Sequence, residues 1–380
     1  MDINLQKIDI FCHVIDNYGD GGVVYRIANE LTRSVISCEV RIFTDDIEPF
    51  SLFDKRIDRV NLHQKIDQIE IVHYSVLNHD FVGNLKIPDL IIEAFACFIP
   101  DLYINKAKNE GKLLINLDYL MAEDWVESFH KKESLLGYKS LRKFFFMPGF
   151  TESTGGLIQS NTHDFEEDRK IELLDFVDKI FHFDCKEYDF VASIFTYEHD
   201  FSNLVDSLDA LNKKSLLIVF GEKSKISFKN IQLDDIVNVE VLFSNFINQN
   251  DYDKLVSLCD FNFVRGEDSL ARASLSSRPF FWHCYLEKDG YQKIKVEAFV
   301  NQLKKHFNLS PNTMDYFNNL YKINDRLNDS YLIDRGESYT NFLENIDRLQ
   351  PNFESFSNFL RNNCNLISNL LSFIRSIPTE

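Results

Sequence analysis

Apolar residues fall in short runs separated by amphipathic stretches, and this alternation repeats along the chain. Residues 8–14 read as a buried strand. A glycine-rich turn follows, then residues 23–31, where Val23, Ile27 and Leu31 share a helical face with Val24 and Ala28. Further strands are predicted at 39–43, 69–73, 90–93, 113–117 and 144–147. The pattern restarts after a charged stretch at 163–170, with strands at 188–195, 216–220, 239–243, 262–264 and 280–284 and helical runs such as 201–211 and 252–258 between them. Strands joined by crossover helices predict an α/β protein with a parallel, doubly wound sheet in each half. Beyond about residue 290 the chain reads as helical, and a last helix at about 355–378 is expected to pack back on the first half. The domains expected are therefore 1–170, with that helix, and 180–350.

Length agrees: at roughly 100–200 residues per domain, 380 residues accord with two domains. The charge is more restrictive. A net charge of −18 repels DNA phosphates and anionic membranes, so neither nucleic acid nor membrane is expected as a partner. The most apolar stretch, 90–104, is interrupted by Glu93, Pro100 and Asp101 and does not read as a spanning helix. Seven scattered cysteines without a CxxC pair read as reduced thiols, and the N-terminal residues do not read as a secretory signal. A cytoplasmic protein is expected.

Two segments carry candidate chemistry. The first, Asp16-Asn17-Tyr18-Gly19-Asp20-Gly21-Gly22, joins the first strand to the first helix. Ligands bind at this strand edge in open α/β sheets. Glycines there permit positive φ and close backbone approach. Two readings fit the carboxylates. In one, Asp20 is a general base and Asp16 positions it or the acceptor; in the other, both cap backbone amides in a turn. Gly19-x-Gly21, with Asp45 and Asp46 near the end of the second strand, begins like a dinucleotide fingerprint. However, the third glycine position is Val24, and a carboxylate at Asp20 would repel a pyrophosphate.

The second segment, Arg265-Gly266-Glu267-Asp268-Ser269, follows a predicted strand and leads into a helix expected to open near Ser269. A helix start offers free amides and positive dipole to a diphosphate, and Arg265 can add a bidentate contact. Plain capping by Asp268 and Ser269 is the other reading. Upstream, Phe246 and Tyr252 offer rings to a base and Gln249 an amide to its edge, or the rings pack a core and Asp251 caps a helix. Phe195 and Tyr197 stand at the end of the first strand of this half, again at a ligand-binding edge. His283 reads as a core histidine. No metalloprotease, nucleophile-elbow or Walker motif occurs.

Five collinear stretches within residues 8–299 resemble the elongation factor P arginine rhamnosyltransferase (EarP) family: IDIFCHVIDNYGDGGVVYRIANEL, NLDYLMAEDWVESFH, KFFFMPGFTESTGGL, SIFTYE and FVRGEDSLARASLSSRPFFWHCYLEKDGYQKIKVEAF. The resemblance implies a GT-B fold, two Rossmann-like domains facing an interdomain cleft. It implies metal-independent, inverting transfer of L-rhamnose from dTDP-β-L-rhamnose to an arginine of translation elongation factor P. By the same resemblance, Asp20 matches the general base, Asp16 the second aspartate of that loop and Glu267 a catalytic glutamate. Phe195, Tyr197, Phe246, Gln249, Tyr252, Arg265, Asp268 and Ser269 match donor-contact positions. The chain departs from the family pattern at Gly21 (usually bulky and apolar), Tyr25 (usually Trp), Tyr252 (Phe) and Tyr285-Leu286-Glu287 (commonly Tyr-Pro-Gln). The competing readings are a glycosyltransferase with another nucleotide sugar or acceptor, a non-catalytic nucleotide-binding protein and a dehydrogenase.

Overall fold

The structure is a computed structural model that describes residues 3–16, 19–135, 141–159, 169–183, 188–229, 231–245, 247–286, 289–324 and 337–378. The chain divides into two compact units, Met1–Asn161 with Leu360–Glu380, and Thr162–Phe359. The expected boundary near residue 170 moves toward the N-terminus. The Arg169–Phe181 helix packs Leu173, Phe176 and Val177 into the second core.

Unit 1 holds a seven-stranded sheet: β1 (Lys7–Cys12), β2 (Glu39–Thr44), β3 (His63–Ile66), β4 (Ile69–His73), β5 (Leu90–Ala94), β6 (Leu113–Leu117) and β7 (Arg142–Phe146). Its order is β3-β4-β2-β1-β5-β6-β7. All pairs are parallel except β3–β4, which is antiparallel. The strands expected from the sequence all pair with one another in parallel; the antiparallel edge strand β3 was not among them. The β3 segment HQKI is polar, buries fully only Gln64, and gave no apolar run to read. Central strands β5 and β6, LIIEA and LLINL, are buried at every position, so they read as nearly continuous apolar runs, broken only by the buried Glu93 and Asn116, rather than as alternations.

The Gly19–Ser34 helix covers the sheet with Val24, Ile27, Ala28 and Leu31, all fully buried. Each large aliphatic among them contributes about 1.5–3 kcal/mol. The expected last helix is two, Gln350–Asn363 and Leu366–Ser376, broken where Leu157 bonds both sides of the junction: its amide to Cys364 O at 2.8 Å and its carbonyl to Leu366 N at 2.9 Å. The second of these helices does pack on unit 1, placing Leu366, Leu370 and Ile374 in its core.

Unit 2 holds five parallel strands: β8 (Phe190–Ile194), β9 (Ser215–Phe220), β10 (Val239–Ser244), β11 (Phe261–Arg265) and β12 (Phe280–His283), in the order β10-β9-β8-β11-β12. Both sheets reverse their strand order beside their first strand, β1/β5 in unit 1 and β8/β11 in unit 2. Such switch points open crevices at the strand C-termini.

Candidate active site

In unit 1, Asp20 follows β1, the strand beside which the order reverses. It lies in the first turn of the Gly19–Ser34 helix and is 2% exposed, not in the open loop expected. Helical bonding already begins with Asp20 N to Asp16 O at 3.0 Å. One carboxylate oxygen, Oδ2, accepts from the amides of Ile15 and Asp16 at 2.8 and 2.9 Å. This back-reach to amides preceding the helix is the capping-box geometry. The other oxygen, Oδ1, accepts from the Tyr119 hydroxyl at 3.0 Å. Capping and chemistry therefore do not exclude each other here: the amides fix the carboxylate, which keeps lone pairs for a ligand. Asp16 is exposed, and its carboxylate lies across Gly19, where a Cβ would meet Oδ2 at 3.0 Å.

The glycines do not serve as expected. Gly19, Gly21 and Gly22 are helical, and none has positive φ. Space beside Gly21 is tight: a Cβ would stand 3.1 Å from Pro49 Cβ and 3.8 Å from the Phe50 ring, so Pro49 would have to give by a few tenths of an ångström. Tyr25 places its hydroxyl 3.0 Å from Asp54 Oδ2, a contact through the phenol oxygen. Asp45 and Asp46, the acidic residues of the dinucleotide reading, are engaged locally. The Asp46 carboxylate accepts from Glu48 N at 2.9 Å through Oδ1. That of Asp45 pairs with His13 Nδ1 at 2.5 Å and accepts from Val14 N at 2.9 Å.

Sequence reasoning missed Tyr119 and Phe95. Their rings stack at 4.2 Å with 12° between planes. The available signal was position, since each stands just past a predicted strand. Neighbouring Asp118 has its pKa raised by burial, opposed by a bond from the Tyr119 amide, 2.8 Å to Oδ1.

In unit 2, Arg265 ends β11 and is clasped by two rings. Its guanidinium carbon lies 4.4 Å from the Phe195 centroid and 5.0 Å from that of Tyr197, and Nη1 donates to Thr196 O at 3.1 Å. The loop after β8 is held for this by Ser224, whose hydroxyl accepts from Thr196 N at 2.8 Å and donates to Thr196 O at 3.1 Å. Lys223, also missed, sets its ammonium 5.2 Å from the Tyr197 ring. Two cations thus share one ring in an acidic protein, an arrangement suited to an anion. Gly266 turns at φ +67° directly into the Gly266–Leu275 helix. The helix therefore opens three residues before Ser269, which is buried in its first turn with Glu267 and Asp268 ahead of it.

Tyr252 meets Phe195 edge-on at 5.9 Å, and burial raises its phenol's pKa. Gln249 is the first residue of the Gln249–Leu258 helix. That helix is capped by Asn248, which accepts from Asp251 N at 2.9 Å, so Asp251 is not the cap expected. His283 is fully buried in β12, in register with Arg265, and meets Tyr197 edge-on at 5.5 Å. Phe246 and Glu287 lie outside the described residues. The second unit thus gathers Phe195, Tyr197, Tyr252, Arg265 and the start of one helix. Of the three carboxylates expected to act in catalysis, Asp16 and Asp20 belong to unit 1 and Glu267 to unit 2. Among the described residues, no group of three or more His, Cys, Asp and Glu is arranged to hold a metal ion, and no helix is long and apolar enough to cross a membrane.

Residues 8–375 match the sequence profile of the elongation factor P (EF-P) rhamnosyltransferase EarP family. The chain is similar to enzymes named protein-arginine rhamnosyltransferase. It is 33% identical to the one from Pseudomonas aeruginosa over 77% of this chain and 80% of that one. It is 31% identical to the one from Shewanella oneidensis over 83% and 85%. A solved structure from work on EarP-mediated arginine glycosylation of EF-P shares the fold, with a TM-score of 0.60 at 20% identity over 98% of this chain and 99% of the other. A UDP-glucosyltransferase from Polygonum tinctorium does so with a TM-score of 0.56 at 8% identity, over 99% and 100%. The two Rossmann-like domains are those of a GT-B glycosyltransferase, and the chain belongs to the EarP rhamnosyltransferase family.

Proposed function

We propose that this enzyme transfers L-rhamnose from dTDP-β-L-rhamnose to an arginine side chain of translation elongation factor P in the cytoplasm. The observation that carries the reading is Asp20, a buried carboxylate held by three hydrogen-bond donors at a switch point, in a chain whose relatives are protein-arginine rhamnosyltransferases.

The acceptor dictates the chemistry. A guanidinium has a pKa of roughly 12.5–13.8 and is protonated at neutral pH, so its nitrogen has no free lone pair. A carboxylate is too weak a base to deprotonate it beforehand. Proton transfer to Asp20 therefore accompanies attack, and the exposed Asp16 holds the guanidinium in place. The nitrogen–C1 bond forms as the C1–oxygen bond breaks. The electron pair of that bond leaves with dTDP, and in-line displacement inverts C1.

The leaving diphosphate gains negative charge, which Arg265 and the helix start at Gly266 stabilise in this reading; the cation held at the strand end beside a helix N-terminus supports it. In this reading those groups neutralise the charge without a metal. Phe195, Tyr197, Phe246, Gln249, Tyr252, Asp268 and Ser269 hold the nucleotide sugar, and Glu267 acts at the reacting sugar.

The test is intact-mass spectrometry of unmodified elongation factor P incubated with the enzyme and dTDP-β-L-rhamnose. One deoxyhexose should appear on a single arginine, and Asp20→Asn should abolish it while still binding dTDP. Donor binding without any mass gain would reject the acceptor, and no donor binding would reject the sugar nucleotide.

A further inference from the structure

We propose that Tyr119 is a positioning residue for Asp20, and that Phe95 is the platform that fixes it. This rests on the reading of Asp20 as the proton acceptor. Two backbone amides pin Asp20 Oδ2. With one oxygen pinned, the carboxylate can still swing about that anchor. The Tyr119 hydroxyl, 3.0 Å from Oδ1, anchors the second oxygen and so fixes the carboxylate plane. That plane sets where the remaining lone pairs point, and an N–H must lie along one of them for its proton to move during attack.

Burial does not hold Tyr119 in place, because it is 36% exposed. Its ring lies instead on Phe95, 4.2 Å away and nearly parallel. Phe95 and Ala96 follow β5 with φ of +58° and +50°, two consecutive left-handed residues that are not glycine. L residues avoid this conformation, and it persists where surrounding structure enforces it. Here Phe95 N donates to Leu117 O at 2.7 Å and Cys97 N to Ala94 O at 3.2 Å. The first bond ties the end of β5 to the end of β6, two residues before Tyr119. The strained turn and the phenol are thus set by one backbone contact, and the strain aims a ring at the residue that orients the base.

The experiment measures rhamnose transfer to elongation factor P by the full-length enzyme and three variants, with melting temperature and dTDP affinity measured alongside. Tyr119→Phe keeps the stack and removes the hydroxyl. Its kcat should fall roughly 10- to 100-fold, the worth of a hydrogen bond to a charged group, with KM for both substrates and the melting temperature unchanged. Phe95→Ala should lower kcat in the same way, and Phe95→Tyr, which retains a ring, should restore it. Wild-type kcat in Tyr119→Phe, or a loss confined to acceptor KM, overturns the proposal while leaving the proposed function standing. Failure of the wild-type enzyme to transfer rhamnose rejects both.

Discussion

Gly156→Ala is expected to destabilise unit 1 by about 4 kcal/mol, made up of a left-handed penalty of about 1–2 and overpacking of about 1–3. Gly156 has φ of +85°, which alanine adopts only at the first of these costs. A Cβ there would stand 2.4 Å from Cys364 O and 2.5 Å from its carbonyl carbon, inside any tolerable contact. Those atoms are backbone and cannot swing aside. The same carbonyl accepts from Leu157 N at 2.8 Å, in the bridge that holds the returning C-terminal segment. Making room therefore breaks a hydrogen-bonded junction. In a unit of this size the melting temperature should fall by about 10 °C, at about 2–4 °C per kcal/mol. Gly266→Ala is the internal control. It has φ of +67° but no atom within 4 Å of an added Cβ, so it carries the conformational cost alone. Urea and thermal denaturation of both variants give the comparison. A loss at Gly156 no larger than that at Gly266 would refute the argument from close packing.

Other outcomes follow from the same geometry. Arg265→Lys keeps the charge but loses the planar fit between Phe195 and Tyr197, and should weaken dTDP binding about 10- to 100-fold by titration calorimetry; an unchanged Kd would remove Arg265 from the donor site. Burial pushes the His130 pKa down to about 4. Between about 6.5 and about 4 the unfolded chain binds a proton that the folded one does not, so His130 makes wild-type stability fall with falling pH, by up to about 3 kcal/mol. His130→Phe should lose that slope in urea titrations across this window, apart from a pH-independent offset from the lost bond to Met147 N; parallel stability curves for the two proteins would contradict it.

The sequence by itself determined much of the local structure. The predicted strand at 113–117 coincides with β6, because a strand buried on both faces shows itself as a nearly continuous apolar run. The turn at Gly266 was legible because a glycine between a predicted strand and helix permits the positive φ that the tight junction adopts. The motifs that resemble the EarP family also lie at strand ends, where both switch points occur.

Tertiary structure decided the rest. Asp9 is a charge inside an apolar strand, and local pattern gives no reason for it. It is neutralised by Arg41, its register partner on β2, at 2.6 Å. The hydrogen bond that Asp20 Oδ1 accepts comes from Tyr119, distant in the chain, and no local pattern predicts it. Arg265 likewise gained its clasp from Phe195 and Tyr197 on another strand's loop. Periodicity reports which face of an element is buried, but hydrogen bonds and ring contacts between remote segments depend on register and strand order. Only the folded sheets fix those.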